Sequence, residues 1–267
     1  MLLIVCLGCS SNKSVQTTPI NDNQTGGSDS VVRPQVETTG PAEIIRAAIE
    51  AHGGESNFAK TYIGKTVMTV DGAFQQGVSG QFTKTDIFHL PSKMKRLLKG
   101  KSQGEQFEMK FVVSDGKSWA QVNGGEPITS TEVNQDLHTY PSDSLAILVA
   151  LLGPDFELSV LPSDDLKGHP VHRVRLENSG NWVGDNFFDK ETHLLVASKK
   201  ELFDSSIQKT RSIETYYSAY KKVDGLNLPM AIDMIMDGEV MSKIKVTEVT
   251  FMDHIDEGEF AALVVER

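Results

Sequence analysis

The spacing of apolar positions along this chain changes once, and the change divides it into a short helical entry and a long β region. Ile44, Ile45, Ala48 and Ile49 recur at helical spacing and form one stripe. Pro41 suits the first helical position, Glu43 suits the positive end of the helix dipole, and Gly53-Gly54 suits a left-handed stop. The pattern predicts a short amphipathic helix docked on something apolar. From residue 65 onward the period falls to two. Phe107, Met109, Phe111 and Val113 alternate with Glu108 and Lys110, as in a half-buried strand. Further strands are predicted at 65–70, 80–88, 118–122, 156–161, 171–176, 181–188, 194–202, 207–217, 226–236 and 240–251. Asp115-Gly116, Asn123-Gly124, Asp224-Gly225 and Asp237-Gly238 punctuate these runs, and such pairs are strong hairpin signals. Strands joined so tightly are antiparallel. About eleven of them exceed an average sheet, so the sheet must curl or close. The expected fold class is mainly β (α+β), a curved antiparallel half-barrel.

One segment breaks the β period. Residues 145–152, which include Leu145, Leu148 and Leu152, are apolar throughout. They follow a Ser142-Asp143 cap and stop at Gly153-Pro154. A helix apolar on all sides is buried all round, and this one is far too short to span a bilayer. The concave side of a curved sheet provides the cover it needs. The expectation is a helical plug or lid in the mouth of the half-barrel that moves to admit a ligand. Residues 130–140 read as a second helix with a partly wet surface.

The N-terminus is different again. Residues 10–40 are rich in Ser, Asn, Gln, Thr and Gly, and cannot bury enough apolar surface to offset the entropy of ordering. They read as a disordered tether spanning 9–40, with one folded domain at 41–267. Ahead of the tether, an apolar run ends in Leu7-Gly8-Cys9-Ser10. This resembles a bacterial lipoprotein signal. The resemblance implies removal of residues 1–8, acylation of Cys9 and a lipid anchor in the cell envelope. Ser10 behind the cysteine implies the outer membrane, facing the periplasm. The alternative, a Cys6/Cys9 redox or metal pair, needs a folded element and partner ligands, and neither is in sight. No further cysteine is present, so burial must hold the domain together. The net charge of -10 gives no electrostatic footprint for nucleic acid.

Several motifs in order give the folded region a family resemblance. Ala42-Glu43-Ile44-Ile45 and Ala51-His52-Gly53-Gly54 lead, and the meander and the apolar helix follow. Then come Phe188-Asp189-Lys190-Glu191-Thr192 with Leu194-Leu195-Val196, and Tyr220-Lys221-Lys222-Val223-Asp224-Gly225-Leu226-Asn227-Leu228-Pro229. Residues 41–263 thereby resemble the lipoprotein-carrier superfamily: LolA/LolB-type carriers, mycobacterial LppX-type lipoproteins and the sensor RseB. The resemblance implies a half-barrel whose concave face holds acyl chains or another apolar ligand under helices. It identifies no protein partner. Where the periplasmic carrier has an Arg on its second strand, the strand at 80–88 has Lys84, which argues against lipoprotein shuttling.

The residues suggest where an apolar ligand would lie. Phe107, Met109 and Phe111 form one triplet, and Met230, Ile232 and Met234 another, each on one face of its strand. Methionine adapts to varied apolar partners. The same residues also suit ordinary core packing, and the two readings stay open here. Leu145, Leu148 and Leu152 complete the expected lining. Lys93, Lys95, Arg96, Lys99 and Lys101 make a basic cluster that reads as a solvated strand pair, with anionic lipid head groups as the alternative. His169 and His172, three apart, would point to opposite faces of a strand and are poorly placed to share a metal. No nucleophile elbow or phosphate-cradling loop is present. The expectation is therefore a binding protein without cofactor or metal, and not an enzyme. An envelope scaffold or sensor with a closed core is the second class.

Overall fold

In the computed structural model, the described residues are 39–75, 78–114, 116–130, 147–162, 165–178, 183–204 and 208–264. Residues 1–38, with Cys9, lie outside them, as do 131–146, with Leu145 and the second predicted helix.

The entry helix α1 spans Pro41–Ala51. The Gly40 amide donates to the Glu43 carboxylate at 3.2 Å, and Ile44, Ile45, Ala48 and Ile49 are buried as the stripe predicts. Gly53 and Gly54 follow with φ of 122° and 84°. A Cβ on Gly53 would sit 2.3 Å from the Gly225 carbonyl oxygen, so close backbone approach as well as φ requires glycine there. A one-turn helix α2 (Glu55–Phe58) and a 3-10 turn (Ala59–Tyr62) lead into the sheet.

The first half of the sheet contains β1 (Ile63–Gln75), β2 (Val78–His89), β3 (Lys93–Ser102), β4 (Glu105–Ser114), β5 (Lys117–Val122) and β6 (Ile128–Ser130). A single helical turn α3 (Ile147–Ala150) precedes the second half. That half contains β7 (Phe156–Leu161), β8 (Val171–Asn178), β9 (Val183–Asp189), β10 (Leu195–Asp204) and β11 (Lys209–Ser218), then the separate hairpin β12 (Lys221–Val223) and β13 (Leu226–Leu228), then β14 (Ala231–Met236) and β15 (Glu239–Phe251). Thirteen strands form one open sheet in the order β6-β5-β4-β3-β2-β1-β15-β14-β11-β10-β9-β8-β7. This is the curved antiparallel half-barrel that the alternation predicts, with more strands than the pattern suggests. The stretch at 226–236 splits into β13 and β14, and the Lys-rich β3 joins as a full strand. The chain runs from the centre to one edge, crosses to the other edge, and returns. The centre is closed by a pairing distant in sequence, Gly64↔Phe251 to Gly72↔Ser242.

Alternation gives the sheet an inner face, the one carrying α1, and an outer face. The main core lies on the inner face at the β7–β10 end. Ile44, Ile45, Ala48 and Ile49 of α1 meet Val174, Leu176, Phe188, Leu195 and Leu226 there, with Leu148 and Leu151. Each of these Ile, Val, Leu and Phe side chains contributes about 1.5–3 kcal/mol on burial. The described part of the apolar segment, 147–152, is therefore not buried on all sides. Leu148 and Leu151 face α1 and the sheet, whereas Ala150 and Leu152 are exposed, Leu152 by 38%. One turn of helix packed on a helix and a sheet keeps one side in water.

Candidate functional site

The strand registers bring the two predicted triplets onto one surface. Phe107 pairs with Gly100, Gly100 with Phe82, Phe82 with Val70, Val70 with Ile244, and Ile244 with Ile232. Paired residues share a face, so Phe107 on β4 and Ile232 on β14 lie in one cross-strand row on the inner side. Met109 and Phe111 flank the row on β4, and Met234 does so on β14. Gly100 leaves the row its flatness. A Cβ there would lie 2.9 Å from the Phe82 ring and 2.1 Å from the Gln81 carbonyl oxygen. Phe82 and Phe107 meet edge to face, with centroids 5.7 Å apart. Val70, Phe82 and Leu98 are buried beneath Phe107, Met109 and Ile244, while Phe107, Met109, Phe111, Ile232 and Met234 remain half-buried. The result is an apolar band across the middle of the sheet whose outer members keep partial access to solvent.

A charged cluster borders the band on β2 and β3 without breaking the row. Fully buried Asp86 accepts from Arg96 Nε on Oδ1 at 2.8 Å and from Nη2 on Oδ2 at 3.1 Å, and Lys84 Nζ lies 3.2 Å from the same Oδ2. The register puts Arg96 beside Phe111, and Lys84 beside Met68 and Leu98. A fork of two donors fits a guanidinium to a carboxylate. Sequence reasoning missed this cluster. Arg96 sits among four lysines whose alternation sends them to the other face. There Lys95 meets Glu259 at 2.7 Å, Lys99 meets Glu108 at 2.8 Å, and Lys93 pairs with Glu257. Glu257 and Glu259 belong to a C-terminal 3-10 turn (Glu257–Phe260), which covers Val112 on the outer face with Ile255 and Phe260. The period-two signal that separates Arg96 from its neighbours was present in the sequence.

The remaining predicted residues go elsewhere. Leu148 belongs to the closed core under α1, and Leu152 is exposed. Met230 precedes β14 rather than joining it, and lines a groove of about 710 Å³ with Asp71, Asp233, Lys243 and Lys245 and with Val70, Phe82 and Ile244 of the apolar row. Leu228, on β13, packs at the edge of the core under α1.

The outer face of the second half is ionic. Arg173 Nε and Arg175 Nε donate to Asp185 at 3.0 and 2.8 Å. Burial would raise the Asp185 pKa, but the hydrogen bonds from Arg175 and Arg173 outweigh it and hold the carboxyl below its ordinary range. Burial and the Glu214 carboxylate push the Tyr216 phenol up to about 12, and Lys167 sits 3.4 Å over its ring. No group of three or more His, Cys, Asp or Glu side chains among the described residues is arranged to hold a metal, and no described helix is long and apolar enough to cross a membrane.

No protein-family model and no curated protein matches this sequence. Solved structures do match in fold. A LolA superfamily protein from Nitrosomonas europaea superposes with a TM-score of 0.53 at 11% identity, over 84% of this chain and 98% of that one. A putative outer membrane lipoprotein-sorting protein domain from Vibrio parahaemolyticus aligns with a TM-score of 0.46 at 11% identity, over 82% and 95%. LprF from Mycobacterium bovis follows, with 0.30 at 8% identity, over 85% and 96%. The first of these shows that the chain has the fold of the LolA superfamily.

Proposed function

We propose that the protein is an envelope lipoprotein that binds an apolar ligand, a lipid or acyl chain, on the inner face of its half-barrel. One observation carries the reading: the apolar band from Phe107 to Ile232 is continuous across the sheet, yet its outer members stay half-buried. The fold shared with a LolA superfamily protein supports it. Acylation at Cys9 and a tether over 9–40 would hold the domain near a membrane, where such ligands are found. We place it in the outer membrane, facing the periplasm, on Leu7-Gly8-Cys9-Ser10.

Binding of this kind is mainly hydrophobic, worth about 0.8 kcal/mol per buried methylene before ordering costs. Affinity should rise steeply along a chain-length series of fluorescent fatty acids and respond little to salt. Met234→Asp, which sets a charge on the band, should weaken every long-chain probe. Affinity that ignores chain length, or survives the substitution unchanged, overturns the reading. The second reading, a scaffold or sensor with a closed core, is favoured by the full burial of Leu98 and the near-full burial of Val70 and Phe82. On that reading no chain of any length binds. Cys9→Ser should release the protein from membranes, and retention after a salt wash counts against the anchor.

A further inference from the structure

Two motifs that lie far apart in the sequence, Ala51-His52-Gly53-Gly54 and the Tyr220–Pro229 stretch, meet at one corner of the sheet around a buried histidine. The His52 ring has no exposed surface. Its Nε2 lies 3.1 Å from the Leu195 backbone nitrogen, at the start of β10. An amide N–H only donates, so Nε2 must present its lone pair and the proton resides on Nδ1. That proton is donated to the Asn227 carbonyl oxygen on β13, 2.8 Å away. The ring therefore joins three elements through a single tautomer: the end of α1, the β12–β13 hairpin and β10.

The rest of the corner depends on the same placement. The Asn227 amide donates to the His52 carbonyl at 2.9 Å, and its side-chain nitrogen donates to the Ala51 carbonyl at 2.6 Å. Tyr220 lies 5.5 Å from the imidazole centroid and donates its hydroxyl to the Leu195 carbonyl. Beneath them, Leu226 and Leu195 enter the core with Ile45 and Ala48.

We propose that His52 is an acid-sensitive latch whose protonation at Nε2 releases α1 and the β12–β13 hairpin from the start of β10. A proton on Nε2 removes the acceptor for the Leu195 N–H and sets two donors face to face. It also places a cation in a buried site. No carboxylate lies within 4 Å of either ring nitrogen among the described residues to compensate. The titratable groups that the ring meets are the Tyr220 phenol and, behind it, Tyr217. The other charged or titratable residues on the packed elements include Glu43, Arg46 and Glu50 on α1, Lys221, Lys222 and Asp224 on the hairpin, Asp189, Lys190, Glu191 and His193 in the turn before β10, and Lys199, Lys200 and Glu201 along β10. Burial lowers the affinity of His52 for a proton more than its Asn227 bond raises it, which sets the latch closed near neutrality. The latch stands independently of any ligand on the inner face, because its bonds lie at the hairpin corner.

Hydrogen exchange on the full chain at about pH 7.5 and about pH 5 tests the latch, with rates corrected for the intrinsic effect of pH. Amides of 44–58 and 221–228 should lose protection at the lower pH. The opening constant should rise about tenfold for each pH unit between the ordinary histidine value of about 6.5 and the lower value of the closed state. Amides of β2–β4 should keep their protection. In His52→Gln, neutral at every pH, the acid-induced change should vanish. Protection that persists in both segments at the lower pH, or an equal change in His52→Gln, overturns the latch. If His52→Gln does not fold, the imidazole carbon–proton shift of the wild type decides. A midpoint shared with the exchange change supports the latch, and a ring silent to about pH 4.5 overturns it.

Discussion

Two regions of one sheet face behave differently. At the β7–β10 end, Val174, Leu176 and Phe188 have no exposed surface, because α1 and α3 lie on them. Across the centre, Phe107, Met109, Phe111, Ile232 and Met234 repeat the same alternation but remain half-buried. The strands alone do not account for this difference, because both regions are apolar every second residue. The cover over them does. A sheet of this size has more apolar inner surface than its few described helical turns conceal, and the surplus surface is what the proposed ligand would occupy.

Truncation should separate the two regions. Phe188→Ala removes a large ring from a fully covered site, and should cost about 3–5 kcal/mol in denaturant unfolding. Asp86→Ala comes next, at about 3 kcal/mol, because it removes the carboxylate that Lys84 and Arg96 share on the inner face. A larger midpoint shift for Asp86 than for Phe188 would mean that the charged cluster, and not the covered corner, dominates stability. Met109→Ala should cost only about 1 kcal/mol, since its side chain is partly wet when folded. It should weaken long-chain binding out of proportion to that loss. A Met109→Ala cost equal to that of Phe188→Ala would erase the distinction and make the band closed core.

The smallest expected effect is the dependence on pH. Folding lowers the His52 pKa, so the unfolded chain takes up its proton first as pH falls. Its contribution to stability is complete above about pH 6.5 and is lost as pH drops from there through the lower folded value. Asp185 and Glu214 are also lowered and add a second loss further into acid, through the carboxylate range. Unfolding midpoints measured against pH should show both windows in the wild type. His52→Gln should retain only the lower one.

Local features of the chain forecast much of this architecture. The stripe of α1 and its glycine stop needed only a few consecutive residues. At Asn123-Gly124, Asp224-Gly225 and Asp237-Gly238 both residues have positive φ, as the hairpin reading requires. The turn after β9 is similar: Asp189 Oδ1 accepts from the Thr192 amide at 2.7 Å and from the Glu191 amide at 3.1 Å. The candidate band was half legible. Period two put each triplet on one face of its strand, but whether those faces coincide depended on five cross-strand registers. Met230 left its triplet because the strand begins one residue later. Arg96 was hidden in a basic run that alternation divides between two faces.

Sequence alone determined the local choices: where helix gives way to strand, where the chain turns, and which residues share a face. These follow from backbone dihedrals and side-chain periodicity within a few residues. Tertiary structure decided the rest. The pairing of β1 with β15 joins residues about 180 positions apart, so no local window contains it. The enclosure of His52 by Asn227 and Leu195, the burial of Asp86, and the exposure of one side of α3 all depend on what lies across the gap. Burial is a property of a residue and its cover together, and the cover comes from distant parts of the chain.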